Sequence, residues 1–160
     1  MSDEDTAAAS GPRRKWFASG LRFTCAAGCG RCCAGAPGFV WVTEAEIRDL
    51  AARLGLPAGV FARRHLRRVG GRVSLKERPN GDCAFLERPT MTCAVYDVRP
   101  TQCRTYPFWP EILRSRERWD AEADVCPGIG VGRLHRCDEC AEKAAETRRA
   151  GRTIAKDFPL

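Results

Sequence analysis

The sequence predicts a small, irregular α+β domain with short antiparallel strands and a few helices. The chain has 160 residues, which suits one domain with a modest core. Its 15 glycines and 10 prolines predict many turns between short elements. Its ten cysteines exceed common usage but lie below the density of small disulfide scaffolds.

The first third of the chain predicts a tail, a loop, a short strand and a helix. Residues 1–15 are polar and lack periodicity, which predicts a disordered tail. Residues 21–38 are rich in cysteine and glycine, which interrupt the periods of both helix and strand. The apolar run at 39–42 predicts a strand. A helix follows Thr43, because Thr43 and Glu46 have the spacing of a capping box and apolar residues recur on one face.

Glycine and proline divide the remainder of the chain into further short elements. In chain order these are a helix over 57–66, strands over 72–76, 83–86 and 93–96, a short helix within 99–108 and a terminal helix over 138–150. The turn residues Pro79, Asn80, Gly81 and Asp82 predict a hairpin between the first two strands.

The charge is positive, with 27 basic and 20 acidic residues and a net charge of +7. Much of the excess lies in a basic stripe over residues 61–78, which includes Arg67 and Arg68. Such a stripe can meet nucleic acid or an acidic partner. Since no aromatic interleaving or groove-reading motif accompanies the charge, we favour a solvated helix face over a nucleic acid site.

The N-terminal pattern predicts a cytoplasmic protein without a membrane partner. No apolar run reaches the roughly 18 residues of a membrane span. Arg13 and Arg14 resemble a twin-arginine signal, but no apolar stretch follows them. In a reducing compartment, a dense set of cysteines predicts metal binding rather than disulfides.

Four of the cysteines crowd into residues 25–33, and two of these are adjacent. Thiolates are soft ligands that select zinc, copper(I) and iron–sulfur centres. His65 and His135 are expected to serve packing or the surface, so the predicted site is dominated by thiolates. Adjacent side chains such as those of Cys32 and Cys33 diverge and seldom bind one ion together. Two four-thiolate sites, or one cluster with supporting thiols, could be built from Cys25, Cys29, Cys32, Cys33, Cys83, Cys93, Cys103 and Cys126.

Two other thiol functions fit the spacing less well. The C-x3-C-x2-C pattern at 25–32 matches radical S-adenosylmethionine enzymes, but Arg31 stands where those enzymes usually carry an aromatic residue, and the chain lacks the length and βα repeats of their barrel. The C-x2-C pairs at 29–32 and 137–140 have redox spacing, but neither is predicted to follow a strand and open a helix in a βαβ setting. The pair at 137–140 is interpreted either as a peripheral metal clip or as two free thiols at a helix start. An iron–sulfur cluster is favoured over zinc, because the clustered thiols resemble ferredoxin spacing more than paired zinc knuckles.

The stretches CAAGCGRCC, VTEAEI, GDCAFLERPTMTCAVYDVRPTQCRTYPF and CPGIG occur in this order between about Phe23 and Gly130. Together they resemble the YkgJ-like cysteine-cluster family, also described as the CxxCxxCC or zinc/iron-chelating domain. The resemblance implies that the first eight cysteines bind zinc or a [4Fe–4S] cluster, with Arg99-Pro100 and Arg104-x-Tyr106-Pro107-Phe108 as a companion signature. The cysteine cluster is also similar to that of a much longer lysine methylase acting on flagellin.

Arginines near the cysteines are expected to support the metal site. Four thiolates around a cluster or a zinc ion leave a net negative charge, which guanidinium groups can offset while donating hydrogen bonds to sulfur. Arg31, Arg99 and Arg104 each lie within a few residues of a cysteine and are the candidates for this role.

The predicted organisation is a tail over 1–15, a metal-binding domain over 16–132 and a C-terminal helical extension over 133–160. We expect a non-enzymatic accessory or electron-transfer module with an unidentified protein partner. The alternatives are a component of a protein-modifying, methyl-transfer-like enzyme and a basic zinc module that binds nucleic acid. No catalytic residue is named, because the acidic residues are scattered and neither histidine has a clear partner.

Overall fold

The computed structural model describes residues 14–35, 38–156 and 158–160. Within these residues it confirms the predicted class, a small mixed α+β domain with five α-helices and short antiparallel strands. The helices are α1 Glu44–Arg53, α2 Ala58–His65, α3 Thr101–Thr105, α4 Arg116–Glu122 and α5 Cys137–Arg152. The strands are β1 Leu21–Phe23, β2 Leu66–Val69, β3 Arg72–Leu75, β4 Leu86–Glu87, β5 Thr92–Cys93 and β6 Ile129–His135. The tail predicted over 1–15 lies outside the described residues except for its last two positions.

The strands pair in three two-stranded antiparallel sheets. β2 and β3 form a hairpin about Gly70 and Gly71, whose φ angles of 54° and 76° favour glycine. β4 and β5 form a second hairpin, and β1 pairs with the distant β6, with Leu21 opposite His135. No helix in the described ranges is long and apolar enough to cross a membrane.

One apolar cluster lies between α1, α2 and the β2–β3 hairpin. Its deeply buried side chains include Val42, Ile47, Leu50, Phe61 and Val73. α1 begins with the predicted capping box, since Thr43 Oγ1 accepts from the Glu46 amide at 3.2 Å and Glu46 Oε2 accepts from the Thr43 amide at 2.8 Å. Ala155 and Phe158 belong to the same cluster, so the end of the chain packs against α1 and its neighbours.

A second apolar cluster joins the N-terminal part of the described chain to α5. Its buried members include Phe17, Leu21, Phe108, Trp119 and Cys140. α5 also packs along α3, where Thr147 Oγ1 donates to Thr105 Oγ1 at 2.7 Å. The boundary predicted after residue 132 falls inside β6, and the segment over 133–160 supplies part of that strand, α5 and residues of both clusters.

Several local predictions differ from the structure. The strands predicted over 83–86 and 93–96 each share a single residue, Leu86 or Cys93, with the observed β4 and β5. Residues 21–23 form β1 rather than loop, because their partner strand lies at the far end of the chain. Residues 39–42 do not form a strand; Trp41 makes an isolated bridge to Ser74. β3 pairs with β2 instead of the segment after the Pro79–Asp82 turn, where Glu77 and Cys83 form an isolated bridge.

Candidate metal centre

The loop that carries the first four cysteines is attached to the start of β6. The Thr24 amide donates to the Gly128 carbonyl at 3.1 Å, one residue before Cys25 and two residues after Cys126. A Cβ on Gly128 would lie 2.3 Å from the Thr24 carbonyl oxygen, so only glycine permits this approach. The contact brings Cys25 and Cys126 together although they lie far apart in the sequence.

A second backbone contact joins the same loop to the β4–β5 hairpin. The Cys83 amide donates to the Cys33 carbonyl at 2.7 Å. The hairpin begins just after Cys83, and within it Leu86 lies opposite Cys93. Cys33, Cys83 and Cys93 are therefore held near one another by main-chain hydrogen bonds.

Backbone contacts and electrostatic interactions place the eight thiols in two sets, and Cys32 interacts with members of both. Burial raises the pKa of Cys25, and the charges of Cys32, Cys29 and Cys126 raise it further. Burial likewise raises the pKa of Cys103, in α3, and the charges of Cys83, Cys32 and Cys93 add to that rise. We call the first set the loop group, and it comprises Cys25, Cys29, Cys32 and Cys126. The second set, the hairpin group, comprises Cys33, Cys83, Cys93 and Cys103.

Cys32 and Cys33 lie where the two groups meet, with their Sγ atoms 3.9 Å apart. The hydrogen bond from Cys33 lowers the pKa of Cys32 to about 7, and the positive charge of Arg99 favours the same ionised form. Hydrogen bonds to Cys32 and Cys83 raise the pKa of the Cys33 thiol far above its ordinary value. Cys32 is thus ready to ionise near neutral pH, as a thiolate ligand must.

Three cysteines accept a hydrogen bond from the amide two residues further on. The donors are Phe85 to Cys83, Val95 to Cys93 and Gly128 to Cys126. The pKa of Cys83 falls to about 7, first through the hydrogen bond from Cys33 and then through this amide. Burial raises the pKa of Cys93 and of Cys126, and the amides offset part of that rise. Amide donors stabilise thiolate charge and orient the sulfur.

The three arginines predicted beside the centre occupy different positions. The charge of Arg99 acts on thiols of both groups and favours their ionised forms. Arg104 pairs with Glu146 at 3.3 Å and donates to the Arg99 carbonyl at 3.2 Å, so it supports the segment that carries Arg99. Arg31 is exposed at the start of a 3-10 turn between two cysteines of the loop group.

Asp82 is a buried carboxylate beside the hairpin group that was not among the predicted site residues. It accepts a hydrogen bond from the Gly35 amide at 3.0 Å and two from the Arg88 guanidinium at 2.7 Å each. The Arg88 hydrogen bonds hold the pKa of Asp82 at about 2. The carboxylate thereby ties the chain just after Cys33 to the turn just before Cys83. Its signal in the sequence is an Asn-Gly-Asp turn, which predicts a turn and no more.

Tyr106, which belongs to the companion signature of the cysteine motifs, lies beside the loop group. Its hydroxyl donates to Glu122 Oε1 at 2.6 Å, and the Cys126 amide donates to the Glu122 carbonyl at 2.8 Å. The hydroxyl also lies beside the Cys126 thiol, and this contact offsets part of the rise that burial causes in the pKa of that thiol. Burial raises the pKa of Tyr106 itself, so the hydroxyl stays protonated as a donor.

Two arginines of the basic stripe over 61–78 donate hydrogen bonds to main-chain carbonyls of the fold. Arg67 donates to the Gly38 carbonyl at 2.7 Å, and Arg68 donates to the Phe158 carbonyl at 2.8 Å. These guanidinium groups hold loops and the chain end in place, in addition to any role at the surface.

The Cys137–Cys140 pair lies where a strand meets a helix. β6 ends at His135 and α5 begins at Cys137, but β6 pairs antiparallel with β1 and α5 is the last element among the described residues, so the pair has no βαβ setting. The sequence pattern conceals β6, because Gly130 and Gly132 interrupt its alternation. The strand forms through its pairing with β1.

The donor set of the two groups fits a soft metal. No three Cys, His, Asp or Glu side chains among the described residues converge closely enough to hold one ion directly. Two sets of four thiols, amide donors to sulfur and a neighbouring guanidinium are nevertheless the components that zinc and iron–sulfur sites use. The cysteines of the loop group and of the hairpin group are the residues that would hold such metals.

A family model described as "CxxCxxCC: Putative zinc- or iron-chelating domain" matches residues 24–127. The matched region contains every cysteine of both groups and leaves Cys137 and Cys140 outside. No solved structure matches the chain. The match confirms the resemblance inferred from the cysteine motifs. On this evidence the chain belongs to the CxxCxxCC family of zinc- or iron-chelating domains.

Proposed function

We propose that the loop group holds an iron–sulfur cluster and that the protein is an accessory or electron-transfer module. The observation that carries the proposal is the backbone contact that attaches the segment of the remote Cys126 to the loop with three closely spaced cysteines. Cys25, Cys29 and Cys32 lie on one loop, and the Thr24–Gly128 contact brings Cys126 to them. Ferredoxins of the plant type use the same arrangement, with three clustered cysteines completed by a remote one.

The surrounding groups support a negatively charged centre. Arg99 offsets thiolate charge in both groups, while the Gly128 amide donates to Cys126 and the Tyr106 hydroxyl lies beside that thiol. Such donors tune the potential of a bound cluster, which supplies one-electron transfer when present. The hairpin group offers a second four-thiolate site, held in place by Asp82 and by the main-chain bond between Cys33 and Cys83.

Anaerobic purification followed by iron, zinc and acid-labile sulfide analysis tests this function. We expect a brown protein with iron and sulfide in equal amounts. Cys126→Ser should lose the colour, whereas the matched Cys93→Ser variant should keep it, because Cys93 belongs to the hairpin group. A colourless protein with stoichiometric zinc and no sulfide would contradict the proposal and favour the zinc alternative.

Nucleic acid binding is the second candidate. The basic stripe over 61–78 has no interleaved aromatic residues in the sequence, but the fold places Phe39 and Trp41 beside it. Phe39 and Trp41 stack with ring centroids 4.9 Å apart, and the Arg72 guanidinium lies 4.0 Å from the Trp41 centroid. Aromatic and cationic groups in this arrangement suit single-stranded bases. Salt-sensitive binding of an oligonucleotide that is lost in Trp41→Ala but kept in Trp109→Ala would support it.

A role in protein methylation is the third candidate, and only the resemblance of the cysteine cluster to that of the flagellin methylase supports it. Titration of the metal-loaded protein with S-adenosylmethionine tests it, and absence of saturable binding would remove it.

A further inference from the structure

Cys137 and Cys140 form a pair at the first turn of α5, outside both thiol groups. α5 directly follows β6, with Arg136 as the single connecting residue. Cysteines three positions apart on a helix have Cα atoms about 5 Å apart, which is within the span of a disulfide. Helical side chains lean toward the N-terminus, so the Cys140 side chain leans back toward Cys137.

The two thiols differ in their access to solvent. Cys140 is fully buried in the second apolar cluster, and its Sγ donates to the His135 carbonyl at 3.7 Å. Cys137 is partly exposed and lines an open pocket of about 510 Å³. A reagent from solvent can therefore reach Cys137 first, and Cys140 only through Cys137.

The pocket in front of Cys137 has a positive balance of charge. Lys15 and Arg136 line it together with the hydroxyl of Ser19. The acidic lining residue Asp138 pairs with Arg136 at 3.1 Å, so the net charge of the lining is that of the Lys15 ammonium, which lies 5.6 Å from the centroid of the Phe17 ring. A ligand that carries carboxylates suits such a pocket.

A buried polar group also lies at the end of β6. His135 is 7% exposed, and its Nε2 lies 3.0 Å from the Phe23 carbonyl oxygen. Its Nδ1 finds no hydrogen-bond partner in the part of the chain that the structure describes. The ring packs against Phe23 and Phe108, and Phe108 shares the second apolar cluster with Cys140.

We propose that Cys137 and Cys140 are a redox-active dithiol that reduces a disulfide carrying carboxylate groups, with Cys137 as the attacking thiol and Cys140 as the resolving thiol. The proposal is independent of the metal centre, because neither cysteine belongs to the loop group or the hairpin group.

The reaction balances in two exchange steps. The Cys137 thiolate attacks one sulfur of R–S–S–R′, so that a Cys137–S–R bond forms and R′–S⁻ leaves with the electron pair of the broken bond. Cys140 then loses its proton and attacks Cys137 Sγ, which forms the Cys137–Cys140 disulfide and releases R–S⁻. Two electrons pass from the dithiol to the substrate, and the two protons lost by the cysteines balance those that the product thiols take up.

The test uses the reduced, metal-loaded full chain and glutathione disulfide as the probe. We expect two glutathione thiols released per chain and a Cys137–Cys140 linkage in the acid-quenched, labelled and digested protein. Cys140→Ser should stop at one glutathione bound to Cys137, whereas Cys137→Ser should bind none at Cys140. Metal content and melting temperature of each variant, compared with the parent protein, show whether it has folded.

The charge of the pocket has its own control. Lys15→Ala should slow the reaction with glutathione disulfide severalfold and leave the reaction with uncharged hydroxyethyl disulfide unchanged. Arg14→Ala, which removes a neighbouring charge outside the pocket lining, should change neither rate. Mapping of the unsubstituted protein settles the proposal even if a variant fails to fold. Reduced thiols at both positions after exposure to glutathione disulfide, or a linkage of Cys137 to a different cysteine, would overturn it.

Discussion

Replacement of Gly128 by alanine should weaken metal binding by the loop group, because it pushes the Thr24 and Gly128 backbones apart. The structure gives the size of that displacement. The new Cβ would lie 2.3 Å from the Thr24 carbonyl oxygen, whereas ordinary van der Waals contact begins at 3.4 Å. The two backbones must therefore separate by about 1 Å, which exceeds the roughly 0.2 Å tolerance of ligand distances at a metal site. Cys25 follows Thr24 directly, so the displacement reaches the loop group.

Two magnitudes follow for Gly128→Ala. Overpacking of this kind costs about 1–3 kcal/mol in the free energy of unfolding. Displacement of groups that orient metal ligands typically lowers metal affinity about 10- to 100-fold. Chelator competition monitored by metal release measures the affinity, and thermal unfolding measures the stability.

Gly130→Ala is the matched control, two residues further along β6. Gly130 has a φ of 83°, so alanine there is strained by about 1–2 kcal/mol, but nothing lies within 4 Å of the new Cβ. We expect a similar loss of stability and no loss of metal affinity. Equal metal affinity in both variants and the parent protein would refute the argument that the Thr24–Gly128 contact positions the ligands.

Three further predictions test the surroundings of the centre and the fold. Tyr106→Phe should cost about 1 kcal/mol in the free energy of unfolding and also weaken chelator resistance, because the part-buried Glu122 carboxylate loses its donor and the segment that leads to Cys126 is less firmly held. Tyr96→Phe, at an exposed ring, should change neither measurement. Thr43→Ala should cost about 1 kcal/mol by loss of the α1 cap while metal content stays unchanged, and a metal loss would show that the first apolar cluster and the centre are coupled. Asp82→Asn should lower the melting temperature above about pH 4, because the pKa of this carboxyl is depressed from 3.8 to about 2 by its guanidinium partner. The stabilisation is present above the unfolded value and is lost as pH falls through the folded value, so the two melting curves should converge toward pH 2.

Part of the fold and of the site could be predicted because the signals are local. The capping box at Thr43 lies within one helical turn, and Gly55 and Pro57 mark helix ends through their own backbone preferences. The hairpin predicted between 72–76 and 83–86 is wrong, because β3 pairs with β2 instead. α4 and β6 were missed, because the first is polar along most of its length and glycines interrupt the second.

The sequence by itself determined the donor chemistry: ten thiols, eight of them in the order of the family, with almost no histidine to compete. Only the tertiary structure decided which of those thiols lie together in the loop group and which in the hairpin group. Cys126 joins the N-terminal loop because β1 pairs with β6, and Cys83 joins Cys33 through a main-chain bond. The same distant pairing places Cys137 at the junction of a strand and a helix. Contacts between residues so far apart depend on the packing of the whole chain, and no local pattern encodes them.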